Sequence, residues 1–385
     1  MPRPPRLMLL AAVLSVVPIV LSGQSVPRAA LGRAEAQLPD PYDNVTAVRE
    51  LSDGRVIVAD RLAKTVTLAD FRSGSATAIG REGQGPGEYA FPAGLVALPG
   101  DTTLLVDPGQ RRFLVIAPNG KPSALVSFPG NMMGLLRVKG SDRQGRIYFQ
   151  GSELGGPMQA NAPLPDSAPV LRWDRGRDRI DTLGRIKIPA IQRATSGSAN
   201  ARSVVMRTQP FSGQDDWTVA PDGRVGVVRV GDYHVEWWQP AGAKVSGPAV
   251  AYQKVAVSAK DKELFRQASS NPRGGFRMQI GGGGPGGGGR AAPPPPSLGE
   301  PDWPAVKPPF RDGTSQVAPD GSLWVQRYGA ADAPLVYDVF DASGRLARQV
   351  VMPESARLVG FGARGMYVAT KTDDDLETLA RYPRP

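Results

Sequence analysis

A tight turn containing glycine, followed by a β-rich run, recurs six times along the chain, and this repeat limits the possible folds most strongly. The copies begin at residues 52, 99, 143, 221, 319 and 363 and read SDGRVIVAD, PGDTTLLVD, RQGRIYFQ, PDGRVGVVRV, PDGSLWVQRY and ARGMYVATK. A repeat of roughly 40 to 50 residues with several short strands is typical of one β-propeller blade. Six copies therefore predict an all-β fold, a six-bladed β-propeller with four-stranded antiparallel blades.

Apolar alternation divides each repeat into four short strands, most clearly in the second, where GLVAL, TTLLV, RRFLVIA and SALVSF are separated by turn residues. In the fourth repeat the outer strand is predicted to be AVAYQKV, residues 249–255. The sixth repeat offers only three strands. Because an unpaired sheet edge invites aggregation, we expect an N-terminal strand, around Gly32 to Leu38, to complete the last blade.

The first residues have the pattern of an export signal. Arg3 and Arg6 precede an apolar run from Leu7 to Leu21 that ends in small residues. Residues 1–23 are therefore predicted to be a signal peptide, and residues 24–385 a single propeller domain in a secreted or periplasmic protein. The run is about 15 residues long, whereas a helix that spans a bilayer needs about 20, so no stable membrane span is expected after its removal.

Composition restricts the partners and the chemistry. The chain has no cysteine, which excludes disulfides, a cysteine nucleophile and thiolate metal sites. Its net charge is +10. Export makes nucleic acid an unexpected partner, so a protein, an anionic glycan or an acidic small molecule fits this charge better. A dispersed excess of arginine is also compatible with solubility alone.

One stretch carries a resemblance to a known family. GREGQGPGEYAFPAGL (residues 80–95), followed by LLVD, Arg112 and APNGK, resembles one NHL-type repeat. From about residue 40 the chain is similar to exported bacterial six-bladed β-propellers of the NHL/TolB-like superfamily. The resemblance implies the propeller fold, but most members of that group have no assigned activity.

The glycine-rich part of this stretch, GREGQGPGEY, is predicted to be a crossing between two blades. It lacks the Lys-Ser/Thr ending of a phosphate-binding loop, and Pro86 removes a main-chain donor. Its glycines would let the chain turn from the outer strand of blade 1 to the inner strand of blade 2.

Long insertions are predicted on only one face of the ring, which we call the insertion face. They are residues 150–168, 187–215 and 258–311, and the last contains a short helix starting at Ser258 and a disordered Gly/Pro-rich segment. The connections predicted on the opposite face are all short turns. Insertions gathered on one face often mark the binding face of a repeat protein, although they can also be tolerated decoration.

Basic side chains are expected on the insertion face and are the candidate ligand-binding residues. They are Arg61, Lys64, Arg81, Arg111, Arg202 and Arg207. Guanidinium groups around a central funnel favour a carboxylated, sulfated or phosphorylated ligand. Alternatively, Arg61 and Arg111 pair with nearby aspartates and fasten adjacent blades.

Residues for catalysis are scarce. The only histidine is His234, and the chain has no G-x-S-x-G elbow, so no catalytic residue, metal ligand or cofactor is predicted. The favoured function is a non-catalytic, monomeric propeller that binds a protein, an anionic glycan or an anionic small molecule. The alternative is an enzyme of the lactonase or lyase type with a metal or acid–base pair at the central channel. Charged residues of the innermost strands that bear on this alternative are Arg49, Glu50, Arg137, Lys139 and Asp216.

Overall fold

The computed structural model describes residues 26–129, 137–151, 163–198, 201–270 and 298–385, without the side chains of residues 197–203 and 268–270. The predicted signal peptide and nearly all of the Gly/Pro-rich segment lie outside these residues. Within them, no helix is long and apolar enough to cross a membrane.

Six four-stranded antiparallel sheets form a ring, which confirms the predicted six-bladed β-propeller. Two short strands precede the blades, namely β1 (Arg28–Ala30) and β2 (Ala36–Gln37). Blade 1 contains β3 (Val45–Glu50), β4 (Val56–Asp60), β5 (Thr65–Asp70) and β6 (Ser75–Ala78). The crossing to blade 2 contains β7 (Arg81–Glu82) and β8 (Glu88–Tyr89). Blade 2 contains β9 (Gly94–Ala97), β10 (Thr103–Asp107), β11 (Arg112–Ile116) and β12 (Pro122–Ser127).

The remaining blades follow the same order from the inner to the outer strand. Blade 3 contains β13 (Arg137–Ser141), β14 (Ile147–Gln150), β15 (Ser167–Asp174) and β16 (Arg179–Lys187), and it is followed by a hairpin of β17 (Ile191–Ser198) and β18 (Ala201–Thr208). Blade 4 contains β19 (Asp216–Val219), β20 (Val225–Arg229), β21 (His234–Trp238) and β22 (Lys244–Ser246), and it is followed by helix α1 (Ala259–Ser270). Blade 5 contains β23 (Gln316–Val317), β24 (Leu323–Gln326), β25 (Val336–Phe340) and β26 (Leu346–Val351). Blade 6 contains β27 (Ala356–Phe361), β28 (Met366–Lys371) and β29 (Glu377–Tyr382).

The core lies between neighbouring blades, because alternate side chains of each strand point to opposite faces of its sheet. Adjacent Trp237 and Trp238 illustrate this. Trp237 packs with Leu323 and Val325 of blade 5, whereas Trp238 packs with Tyr148 of blade 3. Both tryptophans are buried and join three consecutive blades.

The N-terminal segment closes the ring as predicted. Strand β2 pairs antiparallel with β29 and becomes the fourth strand of blade 6. The Glu35 N–H donates to the Arg381 carbonyl at 2.8 Å, and the Leu38 N–H donates to the Leu379 carbonyl at 3.0 Å. Strand β2 near the N-terminus and strand β29 near the C-terminus are therefore held in one sheet.

The same segment also binds blade 5, which the sequence did not predict. Strand β1 pairs parallel with β26 as a fifth strand, in the register Arg28–Gln349. The Leu31 N–H donates to the Val351 carbonyl, and the Gln349 N–H donates to the Pro27 carbonyl, both at 2.8 Å. Residues 27–38 thus fasten two neighbouring blades.

The predicted outer strand of blade 4, residues 249–255, is wrong. The outer strand is β22, in the register Trp238–Lys244, and it directly follows the turn after β21. Pro248 has no N–H to continue the ladder, and the chain leaves the blade after the Val250 N–H has donated to the Tyr233 carbonyl at 2.8 Å. Residues 251–256 become a connection toward blade 5 instead.

Candidate functional site

Two of the predicted insertions pack together over blades 4 and 5. Trp303 lies at the centre, with its ring 5.5 Å from Phe265 of α1 and 6.4 Å from Phe211, which follows the β17–β18 hairpin. Asp302 accepts hydrogen bonds from Gln192 at 2.9 Å and Gln209 at 3.3 Å. The described parts of these insertions therefore form one structured layer, which we call the cap.

Helix α1 is fixed at its N-terminus by reciprocal capping. The Ser258 hydroxyl accepts from the Asp261 N–H at 3.1 Å, and the Asp261 carboxylate accepts from the Ser258 N–H at 2.9 Å. Asp261 also forms a buried ion pair with Lys307, with Oδ1 and Nζ 2.7 Å apart. The Lys307 Nζ donates to the Gly329 carbonyl at 2.9 Å, which ties the cap to the β24–β25 loop.

Beside the cap, a groove of about 820 Å³ opens between blades 4 and 5. It is lined by residues 251–256, 327–330 and 333–336, together with Arg28 and Gln349. The first two segments are the connection between the blades and the β24–β25 loop of the insertion face. The volume lies within the range of small-molecule and peptide-sized sites.

The charge of this groove is positive. Its charged lining residues are Arg28, Lys254 and Arg327, and no carboxylate is among the described residues that line it. Arg28 and Lys254 are exposed, and neither forms an ion pair within the described part of the chain. The groove therefore presents two uncompensated cationic groups.

Arg327 has a partner beneath the groove floor. Its Nε lies 3.6 Å from Oδ2 of Asp338, a fully buried carboxyl. Asp338 also accepts from the Tyr233 hydroxyl of blade 4 at 2.5 Å and from Gln349 Nε2 at 2.8 Å. Burial raises the pKa of Asp338, and Arg327 and the two hydrogen bonds offset only part of this effect.

Strand register explains why these side chains meet. Asp338 pairs with Gln349, and Gln349 pairs with Arg28, so all three share one face of blade 5. That face is turned toward blade 4, because Tyr233 reaches Asp338 across the gap. Strand β1 therefore delivers Arg28 to the groove.

Four of the predicted binding residues lie around the blade 1 to blade 2 crossing. Lys64 forms an ion pair with Glu82, and Arg81 Nε lies 2.7 Å from Glu88 Oε1 while the Arg81 side chain is 81% exposed. Arg61 lies over the Phe91 ring at 6.0 Å. Arg111 lies in the β10–β11 loop, where its carbonyl accepts from the Phe128 N–H at 3.1 Å.

The other two predicted residues belong to strand β18 of the cap. Arg207 donates to the Gln192 side chain at 2.6 Å and to the Gly299 carbonyl at 3.0 Å. Arg202 lies in the same strand, and its side chain is outside the described residues. The six predicted residues thus divide between the crossing and the cap, and none of them lines the groove.

The crossing is compact. Strands β7 and β8 pair parallel, and Gly80 and Gly87 have φ angles of 63° and 77°. A Cβ atom at Gly80 would lie 2.3 Å from the Gly87 carbonyl oxygen. The Tyr89 hydroxyl accepts from the Val66 N–H at 2.9 Å, so the loop is anchored in blade 1. Its glycines serve a turn in the chain, as predicted.

Arg49 and Glu50 of the innermost strand of blade 1 contact neighbouring blades, whereas Arg137 of blade 3 is exposed. Arg49 Nη1 lies 3.2 Å from Asp101 Oδ1. Glu50 Oε2 accepts from the Tyr367 hydroxyl at 2.8 Å and from the Arg364 N–H at 3.2 Å. These contacts connect blade 1 to blades 2 and 6.

Asp216 of blade 4 contacts both neighbouring blades, 3 and 5. Lys139 Nζ lies 2.9 Å from its Oδ1, and its Oδ2 accepts from the N–H groups of Thr314 and Ser315. Burial opposes ionisation of Asp216, but Lys139 and these hydrogen bonds lower its pKa below the usual value. Within the residues that the structure describes, no group of three His, Asp or Glu side chains is placed to hold a metal ion.

None of the three cationic residues of the groove is predicted from the sequence as a binding residue. Arg28 precedes the predicted closing strand, Gly32 to Leu38, whereas Lys254 and Arg327 fall within predicted strands. The Gly247-Pro248 pair argues against placing Lys254 in a strand, because a proline directly before AVAYQKV indicates that the chain leaves the sheet there.

Comparisons with known proteins give likeness of fold only. No family model matches the chain, and no curated protein matches it. Among solved structures, it is similar to a protein of Bacteroides fragilis described as exported, with 11% identity, coverage of 94% and 95% of the two chains and a TM-score of 0.47. It is also similar to a gluconolactonase of Xanthomonas campestris, with 13% identity, coverage of 93% and 95% and a TM-score of 0.44. A virginiamycin B lyase of Staphylococcus aureus gives 12% identity, coverage of 89% and 97% and a TM-score of 0.39.

Proposed function

We propose that this protein is an exported, non-catalytic propeller that binds an anionic ligand in the groove between blades 4 and 5. The observation that carries the proposal is that one groove has both the volume of a ligand site and a positive charge. A groove of about 820 Å³ presents Arg28 and Lys254 without ion-pair partners in the described residues, and its described lining contains no carboxylate. A carboxylated or phosphorylated ligand would supply the missing counter-charge.

The location of the groove also supports binding. It lies where three separate parts of the chain meet, namely β1, the 251–256 connection and the β24–β25 loop. Blades 4 and 5 provide a rigid base, since Tyr233 and Asp338 are both buried and hydrogen-bonded across the gap. Loops held on a rigid scaffold are common binding elements.

An enzyme with its site in the central channel is the weaker reading. Arg49, Lys139 and Asp216 are already committed to ion pairs between blades. Glu50 accepts hydrogen bonds from blade 6. These charges stabilise the ring, and a reacting group would have to displace them.

The basic residues of the crossing stay a second candidate surface. Lys64 and Arg81 are each paired with a glutamate, so an anion binding there would compete with those carboxylates. The groove requires no such exchange at Arg28 or Lys254. We therefore place the main site in the groove.

The test is calorimetric titration with two carboxylated probes, a Glu-rich peptide and an oligogalacturonate, at low and at physiological salt. We expect at least one probe to bind, with an affinity that falls as salt rises. Lys254→Glu should weaken binding by about tenfold or more, since it reverses a charge in the site.

Lys64→Glu is the matched control, because it reverses one exposed lysine on the same face. It should change the affinity by no more than about twofold. Binding that is lost in Lys64→Glu and kept in Lys254→Glu would move the site to the crossing. Absence of binding to either probe would refute the proposed function.

A further inference from the structure

We infer that the ligand of this groove is an extended acidic segment of a partner protein, which pairs with the free main chain of residues 251–254. This inference rests on the proposed function and specifies its ligand. The Ala251–Lys254 connection is the segment that the sequence pattern assigned to a strand, and the structure leaves it outside any sheet.

Both ends of this connection are fixed by strand-like pairing. At one end the Val250 N–H donates to the Tyr233 carbonyl at 2.8 Å. At the other end the Lys307 N–H donates to the Val255 carbonyl at 2.8 Å, and Ala256 pairs antiparallel with Val306. The connection is therefore held in place at both of its ends.

Between these ends the main chain has no hydrogen-bond partner among the residues that the structure describes. The N–H and carbonyl groups of residues 251–254 make no hydrogen bond to any other described residue. All four residues are exposed or half-buried and line the groove. A held segment with free donors and acceptors is a template for an added strand.

A second free edge borders the same groove. Within the described part of the chain, strand β1 pairs with β26 on one side and has no partner strand on the other, and Arg28 to Ala30 are exposed. Arg28 also lines the groove. Main-chain hydrogen bonds from these edges would supply affinity, and Arg28 and Lys254 would select acidic side chains.

The aromatic lining does not favour a sugar as the ligand. The Tyr252 ring is already packed edge-to-face on Tyr233 at 5.9 Å. The Tyr328 ring packs edge-to-face on Phe211 at 5.8 Å. Aliphatic side chains such as Leu335 and Val336 also line the groove, beside its polar and charged residues, and this mixture suits the alternating side chains of a peptide.

The experiment is fluorescence anisotropy with a six-residue peptide that alternates glutamate and valine and carries an uncharged fluorophore. Two further peptides are N-methylated, one at the odd and one at the even positions, because successive N–H groups of a strand point to opposite edges. One of the two should bind about tenfold more weakly than the parent, as expected when hydrogen bonds to the main chain are lost. The unlabelled oligogalacturonate serves as a competitor in this assay, and its direct binding is measured by the calorimetric titration.

The outcomes separate this inference from the proposed function. Binding of the parent peptide that is weakened by one N-methylated pattern and by Lys254→Glu supports the inference. Equal binding of all three peptides contradicts main-chain pairing. Binding of oligogalacturonate without the peptide refutes a protein partner and keeps anion binding, whereas binding of neither probe removes both.

Discussion

At the residue scale, the repeat is maintained by a buried carboxylate. Asp60 and Asp107 end the second strands of blades 1 and 2 and occupy equivalent positions in the first two repeats. Asp60 accepts main-chain N–H groups from Asp43 and Asn44, and Asp107 accepts those of Ala90 and Phe91. Each aspartate therefore fixes the loop that enters its own blade.

Asp107→Asn should destabilise the protein by about 1–3 kcal/mol, because an amide nitrogen would replace an acceptor oxygen that faces the main-chain N–H group of Ala90 or Phe91. Asp107 is fully buried. Urea unfolding of both proteins measures this difference. Asp373→Asn, at an exposed turn position, is the control and should stay within about 0.5 kcal/mol of the parent. Equal stability of Asp107→Asn and the parent would show that the carboxylate is dispensable.

The same residues show what sequence can and cannot reveal about a site. Asp60 and Asp107 are visible as a repeat because both close a strand after the same turn. Their role is structural, and the basic residues beside them, Arg61 and Arg111, are candidate binding residues only because the topology places them on the insertion face. The groove residues Arg28, Lys254 and Arg327 are far apart in the chain, so only the tertiary structure brings them together.

At the element scale, the N-terminal segment closes the ring. Strand β2 completes blade 6, and Leu38 after it is buried among Val45, Val56 and Leu379. The buried leucine thus adds apolar packing to the hydrogen bonds of the strand. Blades 1 and 6 meet at this point.

Leu38→Ala should lower the free energy of unfolding by about 2–4 kcal/mol, because it leaves a cavity at the closure of the ring. Its neighbour Gln37 is exposed, so Gln37→Ala should change stability by no more than about 0.5 kcal/mol. Thermal and urea unfolding of the two variants give the comparison. Similar stability of both variants would mean that the ring closes without this contact.

Most strands could be predicted from sequence, because each blade buries alternate side chains and the alternation is visible. Among the elements that the sequence pattern does not predict, strand β22 and the β17–β18 hairpin have clear physical reasons. Strand β22 begins directly after its turn and leaves AVAYQKV unpaired, since apolar alternation does not reveal which of two adjacent segments takes the sheet edge. The β17–β18 hairpin has a polar, weakly alternating sequence and is stabilised in part by contacts such as Arg207 with Gly299.

At the scale of the whole molecule, the propeller provides a rigid ring that carries its described insertions on one face. The insertion face carries the hairpin, helix α1 and the β24–β25 loop, and these elements gather over blades 4 and 5. The opposite face carries the short turns. The same two blades also receive β1, so the groove forms where the cap, the ring and the N-terminal segment meet.

Hydrogen–deuterium exchange with and without a saturating carboxylated probe tests the central claim most directly, because it shows where on the ring the ligand binds. We expect slower exchange in residues 251–256 and 327–336 and no change in the crossing, residues 80–91. Slower exchange at the crossing alone, or no change anywhere at saturation, would contradict the assignment of the groove as the binding site.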